Sequence, residues 1–317
     1  MFLRRRAEAA ERRPERASAA AASTELLRQV RHVDLRTRRI VNSRFTGEYL
    51  SSFKGQGIEF AEVREYLPGD DVRSIDWNVT ARTGTPFVKR YVEERELSVL
   101  LIVDLSGSDR WGTRGKLKST LVAEVATTIA MSAVRNNDRV GLLIVTEEVE
   151  RFIPPRKGRR HVLRLVRDLL AFQPERPGTD LAEGISYAQR VLAHRSLVFV
   201  FSDFILGPGR ESFGKALGGL RARHDVVACR LSDPADATLP DVGMLRMTDP
   251  ETGRVSVLDT SSRSVRASFV RSLTADEERS KRLFAKLGVD EIRLSTDVGF
   301  APALIAFFRR RERRLRR

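Results

Sequence analysis

The segment VLLIVDLSGSD, Val99 to Asp109, carries an apolar strand into three oxygen side chains at alternate positions, Asp104, Ser106 and Ser108. Hard divalent cations take oxygen ligands, and a strand that opens into a loop can present several of them at once. A second apolar run, LVFVFSD, ends the same way at Asp203, and PGTDL between the two offers Thr179. Five oxygen ligands from three separate segments can therefore meet at one edge of one sheet. That points to metal-dependent recognition before it points to catalysis.

The elements that must position these residues follow from hydrophobic periodicity. Apolar strands are expected at Ser98 to Val103, Val140 to Val145, Leu197 to Phe201, Val226 to Leu231 and Glu291 to Leu294. Between the first two, Leu117, Leu121, Val125, Ile129 and Ala133 recur on one face of a helix over Leu117 to Val134. Further helices are expected at Arg160 to Leu170, Leu181 to Leu192, Glu211 to Arg223, Ser262 to Leu287 and from Pro302 onward. Strands apolar on both faces and separated by helices make an α/β fold with a mostly parallel, doubly wound sheet covered on both sides. MLRMTDPETGRVSVLD is the exception, an antiparallel hairpin around Asp249 to Gly253. In such a sheet the ligand crevice lies at the carboxyl ends of the strands, where strand order reverses. Asp104 and Asp203 both follow strands directly, so their carboxylates converge if those strands are neighbours there. A magnesium ion wants about six oxygens and gives up water reluctantly, which leaves a position for an outside carboxylate.

Upstream the composition differs. Residues 1–24 form a basic Ala/Arg/Glu-rich tail on which no structure is imposed. Residues 25–96 begin with an imperfect amphipathic helix over Glu25 to Val41 and continue, with glycines at 47, 55, 57, 69 and 84, through the strand-like IEFAEVREYL and PFVKRYVEE. The main domain is expected over 97–300, and 301–317 is a basic carboxyl-terminal helix or tail.

With 317 residues, 41% of them hydrophobic, the chain can bury a sizeable core. No run of about 18 apolar residues suggests a membrane span, and the arginine-rich start lacks the apolar segment of a cleavable signal. A cytoplasmic protein is the expectation. The single cysteine, Cys229, lies in the apolar pattern VVACRL and reads as a small core residue. The formal charge is +15, of which Met1 to Arg16 carries +3 and Arg309 to Arg317 carries +6, leaving +6 for the interior. Basic ends of this kind suit solvated tails, an acidic partner protein or nucleic acid. The last is disfavoured because no interleaved aromatics or nucleic-acid motif accompany the arginines.

The ordered set Asp104-x-Ser106-x-Ser108, Thr179 and Asp203 resembles the metal-ion-dependent adhesion site of von Willebrand factor type A domains, over roughly residues 97 to 295. GQGIEFAEVREYLPGDDVRSIDWNVTARTG, Gly55 to Gly84, followed by VKRYVEERE, resembles the segment that precedes the type A domain in the domain of unknown function 58 family. The resemblance implies a von Willebrand factor type A-like sheet preceded by a smaller strand-rich module. It also implies a metal site at Asp104, Ser106, Ser108, Thr179 and Asp203, with Mg2+ the first candidate and Mn2+ or Ca2+ the alternatives. Members of that family look like companions of MoxR-type AAA+ ATPases in assembling or maturing other proteins, so the implied partner is such an ATPase or an acidic client. One departure is Asp109, where the family often has an apolar residue. The two amino-terminal membrane helices of many relatives have no counterpart in this sequence.

Structural alternatives stand beside these roles. Ser106 and Ser108 could cap a helix beginning near Arg114, and Asp203 could merely start a turn. The block Arg64, Tyr66, Gly69, Asp70, Asp71, Arg73, Asp76, Trp77 and Arg82 reads first as a salt-bridged turn around Pro68-Gly69-Asp70, and second as a partner contact. The end ALIAFFRRRERRLRR reads first as a helix packing Leu304, Ile305 and Phe308. Enzymatic readings are weaker. None of His32, His161, His194 and His224 sits in a recognisable triad context for a Ser106 nucleophile. An Asp104 phosphatase would want an acid where Ser106 stands. Gly55-Gln56-Gly57 is followed by Phe60 in place of a third glycine, and there is no Walker A lysine motif. The functional expectation is a non-catalytic, metal-dependent interaction module, with nucleic-acid binding through the arginine-rich ends as the alternative.

Overall fold

A computed structural model describes residues 57–94, 97–105, 117–174, 178–206, 209–248 and 255–315, with 26, 28–37, 40, 41 and 49 upstream of them. By contact the chain divides into two compact units, Phe53–Leu97 and the remainder. The described residues among 26–49 group with the sheet unit.

In the sheet unit, a helix over 28–37 (α1) buries Val30 and Val33. The strands are β3 (Ser98–Asp104), β4 (Arg139–Val145), β5 (Val149–Arg156), β6 (Leu197–Ser202), β7 (Asp225–Ser232) and β10 (Asp290–Ser295), in the spatial order β10-β7-β6-β3-β4-β5. Ranked along the chain this is the order 3-2-1-4-5-6, in which successive strands are added outward in one direction from β3 and in the other from β6, so strand order reverses between these two parallel neighbours. Every pairing is parallel except β4 with β5. The expected α/β class and mostly parallel sheet are thus observed.

The antiparallel edge strand β5 was not visible in the sequence pattern. Its sequence VERFIPPR mixes charges with Pro154 and Pro155 and buries only Ile153. Proline cannot donate to a ladder and is tolerated at an edge.

Both faces of the sheet are covered. On one, Leu100 and Ile102 pack with Leu181 and Ile185 of α5 (Leu181–Val191), Phe213 and Leu217 of α6 (Arg210–Arg223), and Phe284 of α7 (Arg263–Leu287). On the other lie α3 (Lys118–Arg135), α4 (Arg159–Leu170) and α8 (Phe300–Leu315). Helix α3 departs from the amphipathic pattern in being buried almost all round. Its Thr127, Thr128 and Ser132 hydroxyls donate to the carbonyls of Ala123, Glu124 and Thr128, which satisfies them inside the protein. Leu117, expected on the buried stripe, is the exposed N-cap. In α8, Leu304, Phe307 and Phe308 are buried and Ile305 is half-buried. Cys229 is fully buried in β7, and burial pushes its thiol well above the usual range, as suits a core residue. The hairpin β8 (Met244–Thr248) and β9 (Val255–Asp259) is antiparallel as expected. No helix among the described residues is long and apolar enough to cross a membrane.

In the smaller unit, β1 (Gly57–Glu65) pairs antiparallel with β2 (Phe87–Glu94), with an irregularity between Phe60 and Glu62. The intervening segment is braced as a turn. Arg64 donates to both carboxylate oxygens of Asp70 at 2.7 and 2.8 Å, and Asp76 caps the short helix α2 (Trp77–Thr83). Within this block Arg64 and Asp70 form the salt bridge, and Asp76 acts as a helix cap. Trp77, Leu67 and Val72 are exposed.

Candidate functional site at the carboxyl edge of the sheet

Asp104 is the last residue of β3 and is buried, at 3% exposure. Asp203 immediately follows β6. These strands are hydrogen-bonded neighbours, with Val103 opposite Phe201. The two acids singled out in the sequence therefore leave adjacent parallel strands at the reversal of strand order, the position at which doubly wound sheets open a crevice. Thr179 reaches the same edge by another route. It precedes Asp180, the N-cap of α5, whose backbone N–H donates to the Thr146 carbonyl just past β4, at 2.7 Å. β4 lies on the other side of β3, with Asp104 opposite Val145. The preceding Gly178 is packed so closely that a Cβ there would stand 2.4 Å from Glu147 Oε1. Ser106, Ser108 and Asp109 lie outside the described residues. Helix α3 begins at Lys118, with no side-chain hydrogen bond capping it.

Several groups that the motif does not include hold the two acids. Ser202, on the last position of β6, donates its hydroxyl to Asp104 Oδ2 at 2.8 Å and accepts the Phe204 N–H at 3.0 Å. Asp203 accepts the Ile205 N–H on Oδ1 at 3.1 Å, so it does make the turn expected of a structural aspartate. Its other oxygen, Oδ2, lies 3.7 Å from Lys118 Nζ. The Asp203 carbonyl accepts from Arg230 at 2.8 Å, while the same guanidinium donates to Glu291 at 2.6 Å. Phe204 then turns the chain with φ at 57°, in the left-handed region that costs a non-glycine residue of order 1–2 kcal/mol. That conformation is over-determined. The Phe204 ring packs edge-on against Phe284 and tilted against Phe213, Arg230 lies over its face, and its carbonyl accepts from Ser280.

Lys118 is the main feature that the sequence pattern did not expose. It opens α3, its side chain is 2% exposed, and Nζ lies 2.9 Å from Asp236 Oδ2 as well as near Asp203. Asp236 closes a capping box with Asp233 on the short 3-10 turn Pro234–Ala237. A lysine at the first position of an otherwise buried helix was the available signal, because helix N-termini disfavour cations. For Arg230 the signal was an arginine inside the apolar strand ACRL.

Among the described residues no three His, Cys, Asp or Glu side chains gather as a metal-binding group. The oxygen-bearing residues that the backbone brings to this edge are Asp104, Asp203 and Thr179. Such oxygen donors suit a hard cation and are unsuited to a soft one.

The family model for proteins of unknown function DUF58 matches residues 62–279. The uncharacterized protein Rv1480 of Mycobacterium tuberculosis is 33% identical over 287 residues, covering 90% of this chain and 89% of that protein. The uncharacterized protein YeaD of Bacillus subtilis is 28% identical over 138 residues, 43% of this chain and 31% of its own. Likeness to solved structures is distant. BatB from Bacteroides thetaiotaomicron aligns with a TM-score of 0.45 at 15% identity over 68% of this chain and 99% of its own. The SpRpn10 VWA domain aligns at 0.39 and 10% identity, over 66% of this chain and 94% of its own. From the extent of the family match and the near full-length mycobacterial relative, the chain belongs to the DUF58 family.

Proposed function

We propose that this protein is a non-catalytic interaction module whose carboxyl-edge rim binds a divalent cation, Mg2+ first among the candidates, and through it an acidic side chain of a partner. Asp104, Ser106, Ser108, Thr179 and Asp203 would hold the ion. When bound there, the ion supplies a positive centre on which a partner's carboxylate can complete the oxygen shell. The chain's own residues do the rest. Ser202 fixes the Asp104 carboxylate, and Arg230, Ser280 and the Phe204 turn fix the backbone of the loop that carries Asp203.

The observation that carries this reading is the exit of Asp104 and Asp203 from adjacent parallel strands at the reversal of strand order. The resemblance at Gly55 to Gly84 makes a MoxR-type AAA+ ATPase, or its client, the partner to seek. Affinity capture in Mg2+, repeated with a chelator and with Asp104→Ala, tests it. An AAA+ ATPase retained only with Mg2+ and intact Asp104 is the expected result. Undiminished retention by a folded Asp104→Ala protein would sink the mechanism. Nucleic acid retained in chelator and released by salt would favour the arginines of α8, of which Arg309, Arg310, Arg313 and Arg314 line one surface pocket.

A further inference from the structure

Lys118 stands where the proposed cation chemistry would least expect it. Its ammonium is buried and lies between the carboxylates of Asp203 and Asp236, 3.7 and 2.9 Å away. Burying an ammonium is expensive unless carboxylates compensate it, and the N-terminus of α3 adds an unfavourable positive field. The side chain is therefore not placed to stabilise its own helix. It is placed to neutralise the rim from inside.

We propose that Lys118 is the resident counter-ion of Asp203, and that a divalent cation occupies the rim only in competition with it. This inference rests on the metal-site reading above. Two positive centres on one carboxylate repel, so the ammonium must weaken the ion's hold on Asp203 or withdraw toward Asp236. Asp236 already holds the shorter contact, 2.9 Å against 3.7 Å to Asp203, so the withdrawal is short. Asp236 is fixed by accepting the Asp233 N–H at 2.9 Å on the same oxygen that faces Lys118, and its side chain is 36% exposed. The arrangement offsets one of the two rim carboxylate charges of Asp104 and Asp203 and weakens the site for a cation alone. An incoming partner carboxylate restores the missing negative charge, so cation and partner bind cooperatively.

The test is Mn2+ binding to the full chain, followed by electron paramagnetic resonance, for the wild type, Lys118→Met and Lys118→Gln. The glutamine variant retains a hydrogen-bond donor toward the aspartates without the charge, so it remains informative if the methionine variant folds poorly. Thermal unfolding in chelator and in Mg2+ is recorded alongside. Both variants are expected to bind Mn2+ at least about tenfold more tightly than the wild type. Both should also melt lower in chelator and recover more on adding Mg2+ than the wild type does. Equal or weaker Mn2+ binding by a folded variant, with wild-type binding still measurable, would overturn the role of Lys118 and leave the metal site standing. Absence of Mn2+ binding in the wild type and both variants would overturn the two together.

Discussion

The Ser202 hydroxyl makes two buried hydrogen bonds at once, and its removal can be worked through. In Ser202→Ala, Asp104 Oδ2 loses a donor at 2.8 Å and the Phe204 N–H loses its acceptor at 3.0 Å. Ser202, Asp104 and Phe204 are 2%, 3% and 1% exposed, so water cannot readily replace either bond. A hydrogen bond to a carboxylate contributes about 1.5–3 kcal/mol, and a stranded buried amide costs about 1–3 kcal/mol. Part of this is offset because Ala no longer buries a hydroxyl of its own. The net expectation is a loss of about 2–3 kcal/mol. At roughly 2–4 °C per kcal/mol for a domain of this size, the melting temperature should fall by about 4–12 °C. Urea unfolding measures the free energy, and a double-mutant cycle with Asp104→Asn isolates the coupling. A loss below about 0.5 kcal/mol, or strict additivity with Asp104→Asn, would refute the reasoning that Ser202 fixes the site carboxylate.

Two further outcomes follow from the packing and from a buried histidine. A Cβ at Gly141 would stand 2.9 Å from the Ile153 carbonyl and the Pro155 nitrogen of β5, backbone atoms that cannot swing aside, so Gly141→Ala should cost about 3 kcal/mol in urea unfolding. Gly299→Ala, with nothing within 4 Å, should stay within about 0.5 kcal/mol and serves as its control. His224 is 1% exposed, and its Nδ1 accepts the Ser196 N–H at 3.2 Å, which requires the neutral ring. Burial first, then the charges of Arg223 and Arg195, lowers its pKa below the ordinary 6.5. The unfolded chain then binds the proton more readily than the folded one. Stability should be complete above pH 6.5 and decline as pH falls toward the lower folded value, and His224→Asn, which keeps an acceptor, should flatten that part of the pH profile.

What the sequence made legible was the part governed by short-range pattern. Uninterrupted apolar runs such as Val99–Val103 and Leu197–Phe201 declared strands buried on both faces, and the acids following them declared the edge at which they end. The position of β5 depended instead on a partner strand. VERFIPPR has neither alternation nor a continuous apolar run, and only pairing with β4 makes it a strand. The burial of Lys118 was hidden for a related reason. Its compensating carboxylates lie 85 and 118 residues further along the chain, and their approach is created by tertiary folding alone. Leu117 shows the converse error. Periodicity extends a stripe one residue past the helix start, where the chain has already turned outward.

The topology also separates the two ways in which this protein could use charge. Arg311 of α8 pairs with Asp225 and with Asp290, the first residues of β7 and β10. Asp104 and Ser202 are the last residues of β3 and β6, with Asp203 directly after, and both strands are parallel to β7 through direct pairing or through one another. The arginine-rich end of α8 therefore lies at the amino edge of the sheet, on the order of 20 Å from the acidic rim, the length of a strand of six or seven residues. At physiological ionic strength that distance exceeds two Debye lengths of about 8 Å, so the helix neither screens the rim nor supplies its counter-charge. The rim must be neutralised locally, by a bound cation, by a partner, or by Lys118. Any use of the α8 arginines on an anionic partner would engage a different edge of the same sheet, leaving the carboxyl-edge rim free to bind at the same time.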